Sequence, residues 1–386
     1  MTYALLETAE NVRDYLATTP VGERLGDPSM LTVREVTAGN MNRVFIATGE
    51  RGSVAVKQAP PWVHVAGPSW PIDPARIEAE ARAYSRLEAL APESVPTILH
   101  VDPARYSIVM EDLSDLSVLR DVLVAQVQAH VSGRAIGPLD LLSAAVTTGR
   151  FVGVLTRATS AATIGTDGHA DLVTESANAE LCALTLDVVL DEPFRPHEHN
   201  SWRSALSSRV EELYADPEVA KAVGDLGTRF THAEEALLHG DLHSGSVMVG
   251  TRDARTVTKV FDPEFSFVGP VGLDLGLLWA NFAIAAAAAR SVGAEELAAE
   301  REAAIGESWR AFVAERTDAS PTELDGYRRD AWRFAAAEAF RRVAGYSHAA
   351  DLETLPADAA DAASIAVFDR ARRWLLTADD PTVPRP

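Results

Sequence analysis

LLHGDLHSGSVMVG (residues 237–250) and VFDPEFSFVGPVGLDLG (residues 260–276) hold the densest chemistry of a 386-residue chain. Asp241 and Asp262, 21 residues apart, each stand beside a short β-like run, 247–249 or 256–261, joined by the turn GTRDAR. Phosphoryl transfer asks a protein to orient an attacking hydroxyl and to neutralise phosphate charge through metal. Asp241 suits the first task, and Asp262 with Glu264 the second. Two residues apart on an extended segment, this pair points to one side. Magnesium takes oxygen ligands and keeps waters, so two carboxylates and ATP phosphates suffice to hold it. The same letters admit other readings. His239, Asp241 and His243 could hold a turn by hydrogen bonds while Asp262 caps a loop, or a His/His/Asp set could bind metal without helical HExxH spacing.

Working outward, 35 Lys+Arg against 56 Asp+Glu gives 35 − 56 = −21, which disfavours nucleic acid as a partner. No basic stripe is visible. A chain that is 47% hydrophobic and 24% charged has ample core, and its length suits two lobes. A single cysteine, Cys182, excludes an intramolecular disulfide framework and a Cys-rich zinc site. It reads as a small buried residue. The N-terminus carries acids early and lacks an uninterrupted apolar run, so it does not read as a secretory signal. The most apolar stretch, residues 275–289, falls short of the roughly 20 residues a membrane span needs and reads as a buried helix.

Residues 3–18 and 75–90 have helical spacing, and 31–36, 43–48, 53–58, 97–101 and 107–110 read as strands, the first three as an antiparallel meander. The apolar run stops at EDLSDLS, where a lobe boundary falls after residue 113. Beyond it, 117–132, 139–160, 201–213, 216–235, 274–291, 294–315 and 323–347 carry apolar residues at helical spacing.

HGDLH followed by an acidic hairpin resembles the small-molecule kinases of the protein-kinase-like fold, among them the aminoglycoside and choline kinases. Most of that group has Asn where Ser246 stands, and a DxD or DFG-like segment where this chain has DPEF. Both departures resemble the 5-methylthioribose kinases of methionine salvage. AGNMNRVFIAT (38–48) resembles that family's nucleotide loop, with Gly39 and Asn40 beside the phosphates, and SVAVKQ places Lys57 as its phosphate-contacting lysine. Glu78 matches the acid that pairs with Lys57, with Glu80 close by. MEDL (110–113) resembles the hinge, where backbone groups of Glu111 and Leu113 would meet adenine. GPSWP places Trp70 in the family's substrate-covering loop, and AFRRVAGYSHAADLE (339–353) resembles its segment of paired arginines, here Arg341 and Arg342. Adjacent helical residues diverge by about 100°, so both meet one ligand only near a helix end or a cleft edge, and Gly345 suggests that a helix ends there.

The resemblance implies an α+β, bilobal protein-kinase-like fold. Residues 1–113 form a small N-terminal nucleotide-binding lobe with an antiparallel sheet and a helix, and 114–386 a larger, mainly α lobe for catalysis and substrate. It also implies ATP-dependent phosphorylation of the 1-hydroxyl of 5-methylthioribose, with ATP and Mg2+ as cofactors. Asp241 would orient that hydroxyl and accept its proton, Asp262 and Glu264 hold magnesium, Lys57 stabilise phosphate charge, and Arg341 and Arg342 meet substrate. The partners implied are a small sugar and a second copy in a cytoplasmic homodimer, with no nucleic acid and no membrane. The rival readings are a kinase for another 5-modified pentose such as 5-deoxyribose, an aminoglycoside- or choline-like phosphotransferase, and a non-catalytic pseudokinase. The pseudokinase is marked by loss of residues that are all present here: Lys57, Asp241, Asp262 and Glu264.

Overall fold

The computed structural model describes residues 3–37, 41–383 and 385. It divides into two compact units, Met1–Leu116 with Phe261–Glu264, and Ser117–Val260 with Phe265–Pro386. The unit boundary falls three residues beyond the one read from EDLSDLS, and the return of Phe261–Glu264 to the first unit was not anticipated from the sequence.

The first unit is built on an antiparallel sheet of β1 (Thr32–Val36), β2 (Arg43–Gly49), β3 (Gly52–Gln58), β4 (Ile98–Asp102) and β5 (Ser107–Glu111), in the order β1-β2-β3-β5-β4. Side chains alternate across a strand, and β3 shows the result. Val54 and Val56 join a core with Val12 and Leu16 of helix α1 (Ala9–Ala17), whereas Ala55 joins Ile77 and Tyr84 of α3 (Arg76–Leu90), beyond the single turn α2 (Gly22–Leu25). Lys57 has the parity of Ala55, so its side chain emerges on the α3 face. Helix α1 begins at Ala9, later than its apolar spacing suggests, because Thr8 caps it through a reciprocal capping box with Asn11.

The second unit is mostly helical. Its helices are α4 (Leu119–Val131), α5 (Leu141–Thr159), α6 (Ala161–Glu175), α7 (Ala179–Thr185), α8 (Ser207–Ala215), α9 (Pro217–His232), α10 (Gly272–Ser291), α11 (Glu295–Glu315), α12 (Pro321–Ala344), α13 (Ala350–Glu353) and α14 (Ala357–Thr377). Short strands β6 (Ser117–Val118), β8 (Val247–Arg252) and β9 (Arg255–Val260) form one sheet, and β7 (Ala236–Leu237) pairs with β10 (Val268–Gly269). The β8–β9 hairpin turns through Asp253 and Ala254, both left-handed (φ 49° and 59°), as a tight two-residue connection requires.

Helix α10 packs on α11, α12 and α14 and forms the centre of this unit. Among the described residues it is long and apolar enough to cross a membrane, yet 89% of its apolar window is buried inside the protein, which marks a core helix. Trp279 of α10, Trp332 of α12 and Trp374 of α14 pack in series, with successive ring centroids 4.8 and 4.9 Å apart. Gly276 lets α10 and α12 approach, since a Cβ there would stand 2.5 Å from the Ala331 carbonyl oxygen. Helix α12 opens with a Ser320–Glu323 capping box and Pro321 in its first turn, and it stops at Gly345. Its last turn therefore carries Arg341 and Arg342.

Candidate active site

The functional side chains form two clusters, one in each unit. In the first unit, Lys57 Nζ donates to Glu80 Oε1 at 2.7 Å and is also ion-paired with Asp262. Glu78 is not the partner of this lysine. The buried stripe of α3 runs Ile77, Glu80, Tyr84, Leu87, at spacings of three and four, and Glu78 sits one residue off it and half-buried.

Asp262 and Glu264 reach the same cluster, though not along an extended strand. β9 ends at Val260, and Asp262 takes a left-handed conformation (φ 68°) that a short polar side chain tolerates better than most. Its N–H donates to the Tyr84 hydroxyl at 2.8 Å, which fixes the bend. Glu264 is buried and accepts from Asn42 Nδ2 at 2.8 Å, and Asn42 Oδ1 accepts from Arg76 at 3.0 Å. One oxygen from each of Glu80, Asp262 and Glu264 lies within 4.8 Å of the others.

One ammonium, with the Arg76 guanidinium behind Asn42, does not balance three carboxylates. Burial, joined by the Asp262 charge, raises Glu264 to about 7, and burial with the neighbouring carboxylates holds Glu80 above its ordinary range despite Lys57. Burial pulls the Lys57 ammonium down, but Asp262, Glu80 and Glu264 together outweigh it and hold Lys57 well above the usual lysine value. This excess negative charge on an all-oxygen donor set fits a hard divalent cation such as magnesium.

The second cluster surrounds Asp241. The preceding backbone is fixed by Asp274 at the start of α10, whose carboxylate accepts from the N–H groups of His239 (2.7 Å) and Gly240 (2.9 Å). Gly240 has φ 86°, and a Cβ there would stand 2.0 Å from the Phe265 carbonyl oxygen, so both conformation and space demand glycine. Gly240→Ala is expected to destabilise the fold by at least about 1–3 kcal/mol in denaturant unfolding. Unchanged stability would show that this loop yields more than its contacts suggest.

His243 Nδ1 accepts from the Gly245 N–H at 2.8 Å, which leaves its Nε2–H directed at Asp241 Oδ2, 3.4 Å away. Ser246 Oγ donates to the Asp241 carbonyl at 2.9 Å and so ties the loop to itself. Burial opposes ionisation of Asp241, but His243, Arg341 and Arg342 outweigh it and hold the carboxyl well below the usual range. The side chain keeps 32% exposure, so it remains open to a ligand.

Glu338, fully buried on α12, holds both arginines. Its Oε2 accepts from Arg341 Nε at 2.8 Å and its Oε1 from Arg342 Nε at 2.7 Å. Residues at i+3 and i+4 lie on either side of residue i on a helix, which is how two adjacent arginines converge. Burial raises the Glu338 carboxyl, yet the two guanidiniums bring it down to about 2.

Of the other expected residues, Trp70 closes a compact turn in the first unit, its carbonyl accepting from Val63 N–H at 3.0 Å. Glu111 ends β5 with its N–H on the Thr97 carbonyl (2.9 Å), and Leu113 follows it, buried. Gly39 and Asn40 lie outside the described residues. Sequence reasoning missed Asn42, Arg76, Tyr84, Asp274 and Glu338. For Glu338 a signal existed, since an acid three and four residues before an arginine pair is a helix-face pairing pattern.

The family model described as "Phosphotransferase enzyme family" (APH) matches residues 32–312. A methylthioribose kinase of Geobacillus kaustophilus is 33% identical over 86% of this chain and 83% of its own length. A methylthioribose kinase of Klebsiella pneumoniae (strain 342) is 31% identical over 87% of this chain and 86% of its own, and one of Erwinia tasmaniensis is 33% identical over 86% and 84%.

Proposed function

Since this chain belongs to the phosphotransferase enzyme family and, within it, to the methylthioribose kinases, we propose that it transfers the γ-phosphoryl group of ATP to the 1-hydroxyl of 5-methylthioribose. The observation that carries the reading is Asp241, a carboxylate kept ionised by His243 and a pair of arginines yet open to a ligand. The anomeric oxygen attacks the γ-phosphorus, the bond from that phosphorus to the β,γ-bridging oxygen breaks, and ADP leaves. Asp241 accepts the hydroxyl hydrogen bond, aims the oxygen and takes its proton as the new bond forms. Arg341 and Arg342 meet the sugar or the equatorial oxygens of the transferring group, where positive charge counts most.

Lys57, held by Glu80, contacts the phosphates of the nucleotide, and backbone groups of Glu111 and Leu113 receive adenine. Asp262 and Glu264 are the residues that would hold magnesium, which supplies neutralising charge to the phosphates when bound. Tyr84, Asn42 and Arg76 act on that pair by fixing the Asp262 backbone and the Glu264 carboxylate. Residues 1–113 are assigned to nucleotide and 114–386 to acceptor chemistry, with Asp262 and Glu264 serving the nucleotide from the later stretch of chain. Trp70 is assigned to covering the sugar. The resemblance adds a cytoplasmic homodimer, which sedimentation velocity would register as a two-chain mass.

The test is ADP release over 5-methylthioribose, 5-deoxyribose, ribose, choline and an aminoglycoside, with phosphorus NMR of the product. The expected result is highest kcat/KM on 5-methylthioribose and an anomeric phosphate. One or two heavy atoms in an apolar pocket change discrimination by about 10–200-fold, so 5-deoxyribose should trail within that range. Preference for 5-deoxyribose or for a cationic acceptor would replace the proposed substrate, and nucleotide binding without any turnover would indicate a pseudokinase.

A further inference from the structure

A second cluster of ligating side chains, unused by the chemistry above, lies on the loop that follows the wide helical turn Leu186–Asp191 and precedes α8. Glu192, with a side chain only 7% exposed, is faced by two imidazoles: His199 Nδ1 lies 2.9 Å and His197 Nδ1 3.5 Å from the same oxygen, Oε2. One ligand atom from each of the three residues falls within 4.8 Å of the others. The rings of His197 and His199 meet edge to face with centroids 4.6 Å apart. The loop is built independently of any ion. Asn200 Nδ2 donates to the carbonyls of Glu192 (2.6 Å) and Arg195 (2.9 Å), and its N–H donates to the His197 carbonyl at 3.2 Å.

A direct hydrogen bond does not explain both imidazoles. His197 Nδ1 accepts from the His199 N–H at 3.3 Å, so it carries a lone pair. That single lone pair is spent on the long His199 N–H contact, so Nδ1 has no proton to give the Glu192 carboxylate 3.5 Å away, and a cation bound there would take the lone pair over from that contact. A cation between Nδ1 and the carboxylate removes the conflict. Ligand distances of about 2.0–2.2 Å in tetrahedral geometry place donor atoms about 3.3 Å apart, within a few tenths of an ångström of the 2.9 Å hydrogen-bonded approach of His199 and the 3.5 Å approach of His197 to Glu192 Oε2. Two imidazoles and a carboxylate suit zinc, cobalt or nickel, whereas magnesium and calcium prefer oxygen alone.

We propose that Glu192, His197 and His199 form a binding site for a divalent transition metal ion, distinct from the carboxylate cluster of Asp262 and Glu264. The ion fastens a loop that packs on the end of α12. The Phe194 ring meets Phe340 edge to face at 5.4 Å, and His199 lies 5.7 Å from Tyr346. Arg341 and Arg342 lie between those two contacts in sequence, so the ion braces the segment that carries them.

The test uses tag-free full-length protein stripped with chelator and held in excess Mg2+ to occupy the oxygen site. It is titrated with Co2+ by equilibrium dialysis and by visible d–d absorption. The expected result is one Co2+ per chain, displaced by Zn2+, with affinity at least about 100-fold weaker in His197→Gln/His199→Gln. The same binding should survive in Asp262→Asn/Glu264→Gln. Because the double variant could misfold, His197→Gln and His199→Gln are titrated singly, and each should weaken binding while the metal-free thermal midpoint stays near that of the stripped parent. The proposal is overturned if the parent binds no Co2+, if the histidine variants bind it equally well, or if binding is lost in the carboxylate variant instead.

Discussion

Asp241→Asn is expected to lower kcat on the pentose by about 10²–10⁴-fold, the usual worth of a positioned proton acceptor. The KM for ATP should change little, while the thermal midpoint should fall, because a carboxylate held below its usual range stabilises the fold at neutral pH. Asparagine keeps the size and leaves an acceptor oxygen, but it takes no proton and no longer answers the Arg341 and Arg342 guanidiniums with a charge of its own. A carboxyl held below its usual range is a weak base, so Asp241 serves chiefly by aiming the hydroxyl and receives the proton late, as a loose phosphoryl transition state allows. Any acid limb that Asp241 contributes to the pH–kcat profile therefore lies below the ordinary carboxylate range. Asp241→Asn turning over within tenfold of the parent would remove Asp241 from the chemistry.

How far the sequence could be read follows from what each signal depends on. The strands of the first unit and the long helices of the second are short-range patterns, and they fall within a few residues of their spacing. Helix α14 is different. Its buried stripe of Ala360, Ala363, Ser364, Val367, Phe368, Ala371, Trp374 and Leu375 is half alanine or serine, which gives little hydrophobic contrast. Helix α6 was hidden by Gly165, whose φ of 76° breaks its first turn. Within the site, Asp241 and Asp262 stand out by motif, but the choice of Glu80 over Glu78 needed the phase of α3 and the parity of Lys57 on β3. Asn42 and Arg76 act on Glu264 from 222 and 188 residues away, a relation that no local pattern encodes.

Glu338→Gln is expected to cost about 3–5 kcal/mol of unfolding free energy at neutral pH, because it leaves two largely but not fully buried guanidiniums without their shared carboxylate. The sign follows from linkage. Glu338 ionises near 2 in the folded protein against an ordinary value near 4.5, so its contribution is complete above that ordinary value and is lost as pH falls toward 2. The gap between parent and variant should accordingly be widest at neutral pH and narrow in acid. Arg341 and Arg342 lose their anchor together, so KM for the sugar should rise while KM for ATP holds. Removing one guanidinium from the variant, as Glu338→Gln/Arg341→Leu, should restore part of the stability, since the penalty comes from uncompensated charge and not from lost volume. If Glu338→Gln unfolds at the parent's midpoint at every pH, the two arginines are held by something other than this carboxylate. Recovery of stability in the double variant without recovery of sugar binding would separate the two duties of the pair: Glu338 makes the arginines tolerable to the fold, and the arginines are there for the substrate.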